Sequence, residues 1–160
     1  MKFFDVYLLG KLSCLILYFF IASQGGYYLL AFGRVLRELP TDSFLQIRKL
    51  TDSVIEKPLK ILYPAALIAL LVRILVEDGN ILSLFPPLIS FLLLLADLLL
   101  AIKVSIPLNK MICQSESGYP MEKSSALKQK WINFILIRSY LSITGFILIM
   151  LQILVSHQCQ

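Results

Sequence analysis

A carboxylate and a guanidinium stand where lipid is expected. Asp97 lies near the middle of the apolar run Phe85 to Asn109, FPPLISFLLLLADLLLAIKVSIPLN, and Arg138 lies inside the run Trp131 to Val155. Either charge alone at such depth would cost at least about 2.5–3.5 kcal/mol on insertion scales. Counted from the polar ends of their runs, Asp97 is roughly 14 Å deep and Arg138 roughly 10 Å, at 1.5 Å per residue. An arginine side chain closes that gap, so the two are expected to form a salt bridge, with Gln24 at a similar level as a further hydrogen-bonding partner. Together with Asn109 and Trp131 they make a candidate ligand-binding set: Gln24, Asp97, Asn109, Trp131 and Arg138. In such a pocket Arg138 would orient an oxyanion or carbonyl, Asp97 would hold Arg138 or act as a base, and Trp131 would stack on the ligand. A carboxylate paired to arginine is a weak base, which argues against catalysis by Asp97. The pair has a second reading, in which it only fixes helix register.

Other catalytic machinery is missing from the sequence. It contains no glycine-rich phosphate loop, no HExxH and no GxSxG. Gln24-Gly25-Gly26 is too short for a nucleotide fingerprint and reads as a close helix contact or a kink. The single histidine, His157, lies past the last apolar run, which excludes bis-histidine haem ligation and a buried histidine base. Cys14, Cys113 and Cys159 are odd in number and widely spaced, so they suggest neither a disulfide framework nor a CxxC metal site. His157-x-Cys159 offers two ligands, too few for zinc. No metal and no cofactor is expected. A pore is not expected either, because each apolar run carries only one or two strongly polar groups.

The elements that must position these residues follow from composition. The chain has 160 residues, 58% hydrophobic and 16% charged, with a mean hydropathy of +0.81. Soluble domains sit near 45–50% apolar and about 25% charged, and a soluble fold of this length has too little interior for so much apolar surface. The expectation is an all-α, four-helix transmembrane bundle forming a single domain over residues 1–160, with spans at about 7–33, 59–76, 86–106 and 131–155. The leading segment has the look of a signal peptide. However, Lys11 interrupts its apolar stretch and the run resumes through Phe32, so it is read as a retained first span.

Between the first two spans, Phe44, Ile47, Leu50, Val54 and Ile55 recur at helical spacing, which suggests an amphipathic helix along the membrane surface. Pro40 and Pro58 bracket it, Glu77-Asp78-Gly79-Asn80 reads as a turn, and Gly118 and Pro120 mark a second polar loop. Small and polar residues mark helix-packing faces in a membrane. They give Ser90, Asp97, Ala101 and Ser105 on the third span and Trp131, Arg138, Ser142, Gly145, Gln152 and Ser156 on the fourth. The second span offers Ala66, Ala69 and Arg73, and the first Gly10, Ser13, Leu17 and Gln24. Lys11, Arg73 and Lys103 lie near span ends, where long side chains snorkel to the interface.

Net charge is +5, and no basic stripe interleaved with aromatics points to nucleic acid. Arg34, Arg37, Arg48, Lys49, Lys57 and Lys60 fall between spans one and two. Lys103, Lys110, Lys123, Lys128 and Lys130 fall at or after the end of span three. The positive-inside rule then puts both long loops in the cytoplasm and both termini outside. A bacterial cytoplasmic membrane is the expected location.

Leu29-Leu30-Ala31-Phe32, then Leu39-Pro40 and Ser43-Phe44, then Ile106-Pro107-Leu108-Asn109, and Trp131 with Arg138 seven residues on, run in order through most of the chain. In this the chain resembles the anthrone oxygenase-like family of small four-helix membrane proteins, most of them of unknown function. The resemblance implies the same fold and oxygenation of a polycyclic aromatic. The family pattern places histidine or asparagine four residues after the tryptophan, where this chain has Ile135. Two classes of function therefore stand: binding or oxidation of a small hydrophobic or aromatic molecule in the inner half of the bundle, and a non-catalytic subunit packed in a larger membrane complex or a homo-oligomer.

Overall fold

The computed structural model describes the backbone of residues 3–76, 81–114 and 121–158. It is all-helical there: α1 Phe3–Tyr27, a π-helical turn Tyr28–Phe32, α2 Gly33–Glu38, α3 Thr41–Val76, α4 Ile81–Leu100, a second π-helical turn Ala101–Ser105, α5 Ile106–Gln114 and α6 Met121–Gln158. The π turns run straight on from the helices before them, so the chain makes four long rods. The stretches Leu9–Glu38, Thr41–Val76, Ser83–Gln114 and Met121–Leu154 are each long and apolar enough to cross a membrane. The Glu77–Asn80 turn, the loop with Gly118 and Pro120, and Cys159 lie outside the described residues.

The rods run on past Pro58 and Pro86-Pro87, which read as boundaries, and past Pro64, which reads as tolerated in the first turns of the second span. Pro58 and Pro64 sit inside α3 and Pro86 and Pro87 inside α4. The stretch from Phe44 to Ile55, expected as a separate amphipathic helix, forms the first turns of α3 without a break. Within it Phe44 is buried and Leu50 and Val54 are exposed. Pro107, expected to close the third helix, is the second residue of α5. A proline ring crowds the carbonyl four residues back, and here the chain answers by widening: the Ile106 N–H bonds to the Ala101 carbonyl. A π bulge is one of the few ways a helix absorbs such a defect and continues.

The first rod makes its π turn without proline. The Gly33 N–H reaches the Tyr28 carbonyl, and a Cβ at Gly33 would meet that oxygen at 2.5 Å. Only glycine permits this approach. The first two rods are joined at Leu39-Pro40, where Leu39 is extended (φ −60°, ψ 143°), as a residue before proline prefers. Lys128 of α6 closes this corner, its Nζ donating to the Arg37 carbonyl at 3.0 Å and to the Leu39 carbonyl, which satisfies helix-end acceptors with a cation.

In the bundle, α6 packs mainly on α4 and α1, and α3 on α1 and α4. Each rod thus neighbours the one before and the one after it. The half nearer the termini is close-packed around Cys14, Tyr18, Ile21, Tyr63, Ala66, Leu70, Leu94 and Ile149. There the Tyr18 hydroxyl donates to the Ser90 carbonyl at 3.2 Å and occupies the space over Gly145, where a Cβ would lie 1.8 Å from it. The other half is built on Tyr28, Leu36, Phe44, Leu108, Ile112, Trp131, Ile132 and Ile135.

The inward stripes expected for the third and fourth rods are buried at Ser90, Asp97, Ser105, Trp131, Arg138, Ser142, Gly145 and Gln152. The first rod is a correction. Gly10 and Ser13 are exposed, and the buried face is Cys14, Tyr18, Ile21, Ala22 and Tyr28. Leu17 and Gln24 of the expected stripe are half-buried, Leu17 against the core, so the buried face lies about one residue further along than the small residues indicated. Arg73 is a second correction: it is buried, donating to Gln152 Oε1 at 2.6 Å, because the amide on the facing rod offers an acceptor that makes snorkelling unnecessary.

Candidate functional site

Asp97 on α4 and Arg138 on α6 meet in the interior, Arg138 Nε donating to Asp97 Oδ1 at 2.6 Å. Asp97 is 1% exposed and Arg138 9%. One further rod and a second residue of the third close on the pair. Tyr63 of α3 donates its hydroxyl hydrogen to Asp97 Oδ2 and accepts from Arg138 Nη2 at 2.9 Å. Ser105, at the end of the second π turn, accepts from Arg138 Nη1 at 3.3 Å. Both Asp97 oxygens are therefore engaged, while Arg138 uses three of its five N–H donors.

Gln24 makes no hydrogen bond to the pair. It lines a void of about 10 Å³ beside it, shared with Gly25, Tyr28, Ile135 and Ser139. That is room for about one water molecule among polar groups.

A second polar cluster lies about two turns toward the polar end. Trp131 Nε1 donates to Asn109 Oδ1 at 2.8 Å, and the same oxygen accepts from Arg48 Nη2 at 3.3 Å. Asn109 Nδ2 donates to Asp52 Oδ1, which also accepts from Arg48 Nη2 at 3.1 Å. The Arg48 guanidinium stands 4.2 Å from the centre of the Trp131 ring, a cation–π distance. Phe44 and Tyr28 meet that ring edge-on, at 5.6 and 5.8 Å between centroids. The indole is thus held by a cation over one face, two tilted aromatic neighbours and a hydrogen bond from its N–H.

Between the two clusters runs a cavity of about 450 Å³. Gln24, Asn109, Trp131 and Arg138 line it, and Asp97 stands directly behind Arg138. On α3 its lining extends from Arg48 to Pro64, which is roughly 24 Å of helix.

The two sides of the cavity differ in kind. The first and fourth rods contribute Gln24, Tyr28, Trp131, Ile135 and Arg138, all buried or half-buried. The second and third contribute buried groups too, among them Arg48, Tyr63 and Ser105, but every exposed lining residue is theirs: Glu56, Lys60, Pro64, Ile102, Ile106 and Lys110. The floor is therefore the face of the first and fourth rods, and the mouth lies between the second and third. Both π turns sit at this level, Tyr28 in one and Ala101, Ile102 and Ser105 in the other. A π turn widens a helix locally and re-aims its side chains, here toward the cavity.

Four residues central to the site escape a reading of the sequence alone. Tyr63 had a signal, since it stands one turn before Ala66 on the inward face of the second rod. Ser105 is on the Asp97 stripe. Arg48 and Asp52 form an i, i+4 pair in a charged segment, which looks like any solvated helix face. Among the described residues, no three potential metal ligands converge. No family model, no curated protein and no solved structure matches the chain.

Proposed function

We propose that this chain is an integral membrane protein that binds a small hydrophobic or aromatic molecule in the cavity between its two polar clusters. The observation that carries the reading is the convergence of Gln24, Asn109, Trp131 and Arg138, from three rods, on one cavity of about 450 Å³. Its volume lies within the roughly 300–1,000 Å³ of small-molecule sites, which are mostly apolar with a few placed polar groups. Here the walls include Ile55, Leu59, Leu98, Ile102, Ile106 and Ile135. Arg138 keeps two N–H donors for a carbonyl or oxyanion, and Gln24 adds an amide. Asp97, each oxygen accepting one hydrogen bond, holds Arg138 in place. It positions the guanidinium.

The same geometry favours binding over oxidation. Ile135 lines the cavity beside Arg138, at the position where the anthrone oxygenase-like pattern carries histidine or asparagine. An apolar group there cannot hydrogen-bond a substrate or an oxygen intermediate. The polar ends of the rods face the cytoplasm in this reading, with both termini outside, and the first turns of α3 stand at the membrane surface. The positive charges at the two long connections support that orientation, and a bacterial cytoplasmic membrane is the proposed location. The second class of function, a structural subunit in which the buried pair serves only register, is favoured by the way Tyr63 and Ser105 tie the pair to the neighbouring rods.

Trp131 is the only tryptophan, so its emission reports on the cavity alone. Titration of the detergent-solubilised protein with aminoanthracene is expected to give saturable energy transfer from Trp131. Ala101→Phe fills the cavity from a half-buried wall position and is expected to abolish the transfer while circular dichroism and elution stay those of the native chain. Saturation that persists in a folded Ala101→Phe protein removes the cavity as the binding site.

A further inference from the structure

The mouth of the cavity has a polarity gradient that specifies its ligand more narrowly. Lys60 and Lys110, on the second and third rods, flank its outer end with Glu56, and all three are exposed. One turn deeper on each rod the rim becomes Pro64 and Ile106, and a further turn along the third rod it is Ile102. Trp131, on the floor at the outer end, is a residue that belongs at headgroup level. The opening is therefore basic where lipid headgroups lie and apolar where their chains lie.

The charge is not balanced within the protein. The lining carries Arg48, Lys60, Lys110 and Arg138 against Asp52 and Glu56. Arg138 is neutralised from behind by Asp97, Arg48 is paired with Asp52 and Lys60 with Glu56. The surplus positive charge falls at the rim, where Glu56 pairs with Lys60 and lies within electrostatic reach of Lys110, one carboxylate between two ammonium groups. An anionic group held between Lys60 and Lys110 would complete the set by charge-assisted hydrogen bonds, and an apolar chain behind it would lie against Ile106, Ile102 and Leu59.

We infer that the ligand is an amphiphile with an anionic head and an acyl-like apolar chain, entering sideways from the adjacent leaflet between the second and third rods. The inference rests on the binding reading above and narrows it to a ligand class. The shared chemistry is a carboxylate or phosphate head on a hydrocarbon chain, and either a free fatty acid or an acidic phospholipid supplies it.

The test uses the whole protein in nanodiscs of zwitterionic lipid, with Trp131 quenching by brominated chains as the readout. Dibromostearate is compared with its uncharged methyl ester, and brominated phosphatidate with brominated phosphatidylcholine. The acid is expected to quench at roughly tenfold lower concentration than its ester, a difference of about one charge-assisted contact. In Lys60→Gln/Lys110→Gln that advantage is expected to disappear, and in Lys60→Arg/Lys110→Arg to return. A charge preference in the stearate arm alone assigns the ligand to free fatty acids, and one in the phosphatidate arm to membrane lipid; both support the inference. Equal quenching by acid and ester, with aminoanthracene still bound, overturns the anionic head and leaves the cavity reading standing. Silence of both brominated probes and of aminoanthracene sinks the two together.

Discussion

The arginine–carboxylate clusters at the two ends of the cavity are built on opposite plans. Asp97 and Arg138 come from different rods, are nearly sealed from solvent, and are cross-linked by Tyr63 from a third. Arg48 and Asp52 are one turn apart on the same helix, and the Asp52 side chain keeps 27% of its surface exposed. The first pair exists only when the bundle is assembled, whereas the second forms as soon as α3 does. Burial of both partners makes the loss of one expensive in the first case, whereas in the second Arg48 is equally buried but keeps Asn109 and the Trp131 ring, so the loss of Asp52 costs less. The difference suggests a division of labour: the deep cluster fixes the rods, and the outer one shapes the mouth of the cavity around Trp131.

The comparison breaks or sharpens in order of expected size, read by equilibrium unfolding in detergent micelles. Asp97→Ala leaves a buried guanidinium without its carboxylate and is expected to destabilise by about 3–5 kcal/mol. The double replacement Asp97→Leu/Arg138→Met is expected to recover most of that, because a buried pair exchanged for apolar groups of similar volume is near neutral. Tyr63→Phe removes the hydroxyl that serves both partners and is expected to cost about 1.5–3 kcal/mol, the worth of a hydrogen bond to charged groups.

Asn109→Ala removes the acceptor of the Trp131 indole N–H and is expected to cost about 1 kcal/mol, with a shift in Trp131 emission that Tyr63→Phe does not produce. Asp52→Ala, at a part-buried i, i+4 pair whose arginine keeps Asn109 Oδ1 and the Trp131 face, is expected to cost about 1 kcal/mol. A Asp52→Ala loss as large as that of Asp97→Ala would erase the distinction between the clusters.

How much of this the sequence discloses follows the same divide. A lone charge in an apolar run has one inexpensive solution, so the Asp97–Arg138 pair could be read from residue counts. The four rods could be read from hydropathy. Gly10 and Ser13 misled because small residues were taken to face inward, when Cys14, Tyr18 and Ile21 provide the packing surface of the first rod. The Arg48–Asp52–Asn109–Trp131 cluster stayed hidden because polar residues in a polar segment carry no penalty that forces them together. The cavity stayed hidden because it is a volume left by backbone geometry. That geometry comes from two π turns, one set by Pro107 and the other allowed by the missing side chain of Gly33, and neither changes the periodicity of the residues around it.

The most direct test of the cavity's role is native mass spectrometry of the protein carried through gentle solubilisation. The wild-type chain is predicted to retain a small molecule at about one per chain, and Ala101→Phe, folded and monodisperse, to lose it. The same adduct on both proteins, or a bare wild-type chain accompanied by stoichiometric partner subunits, would contradict ligand binding in the cavity and favour the structural role.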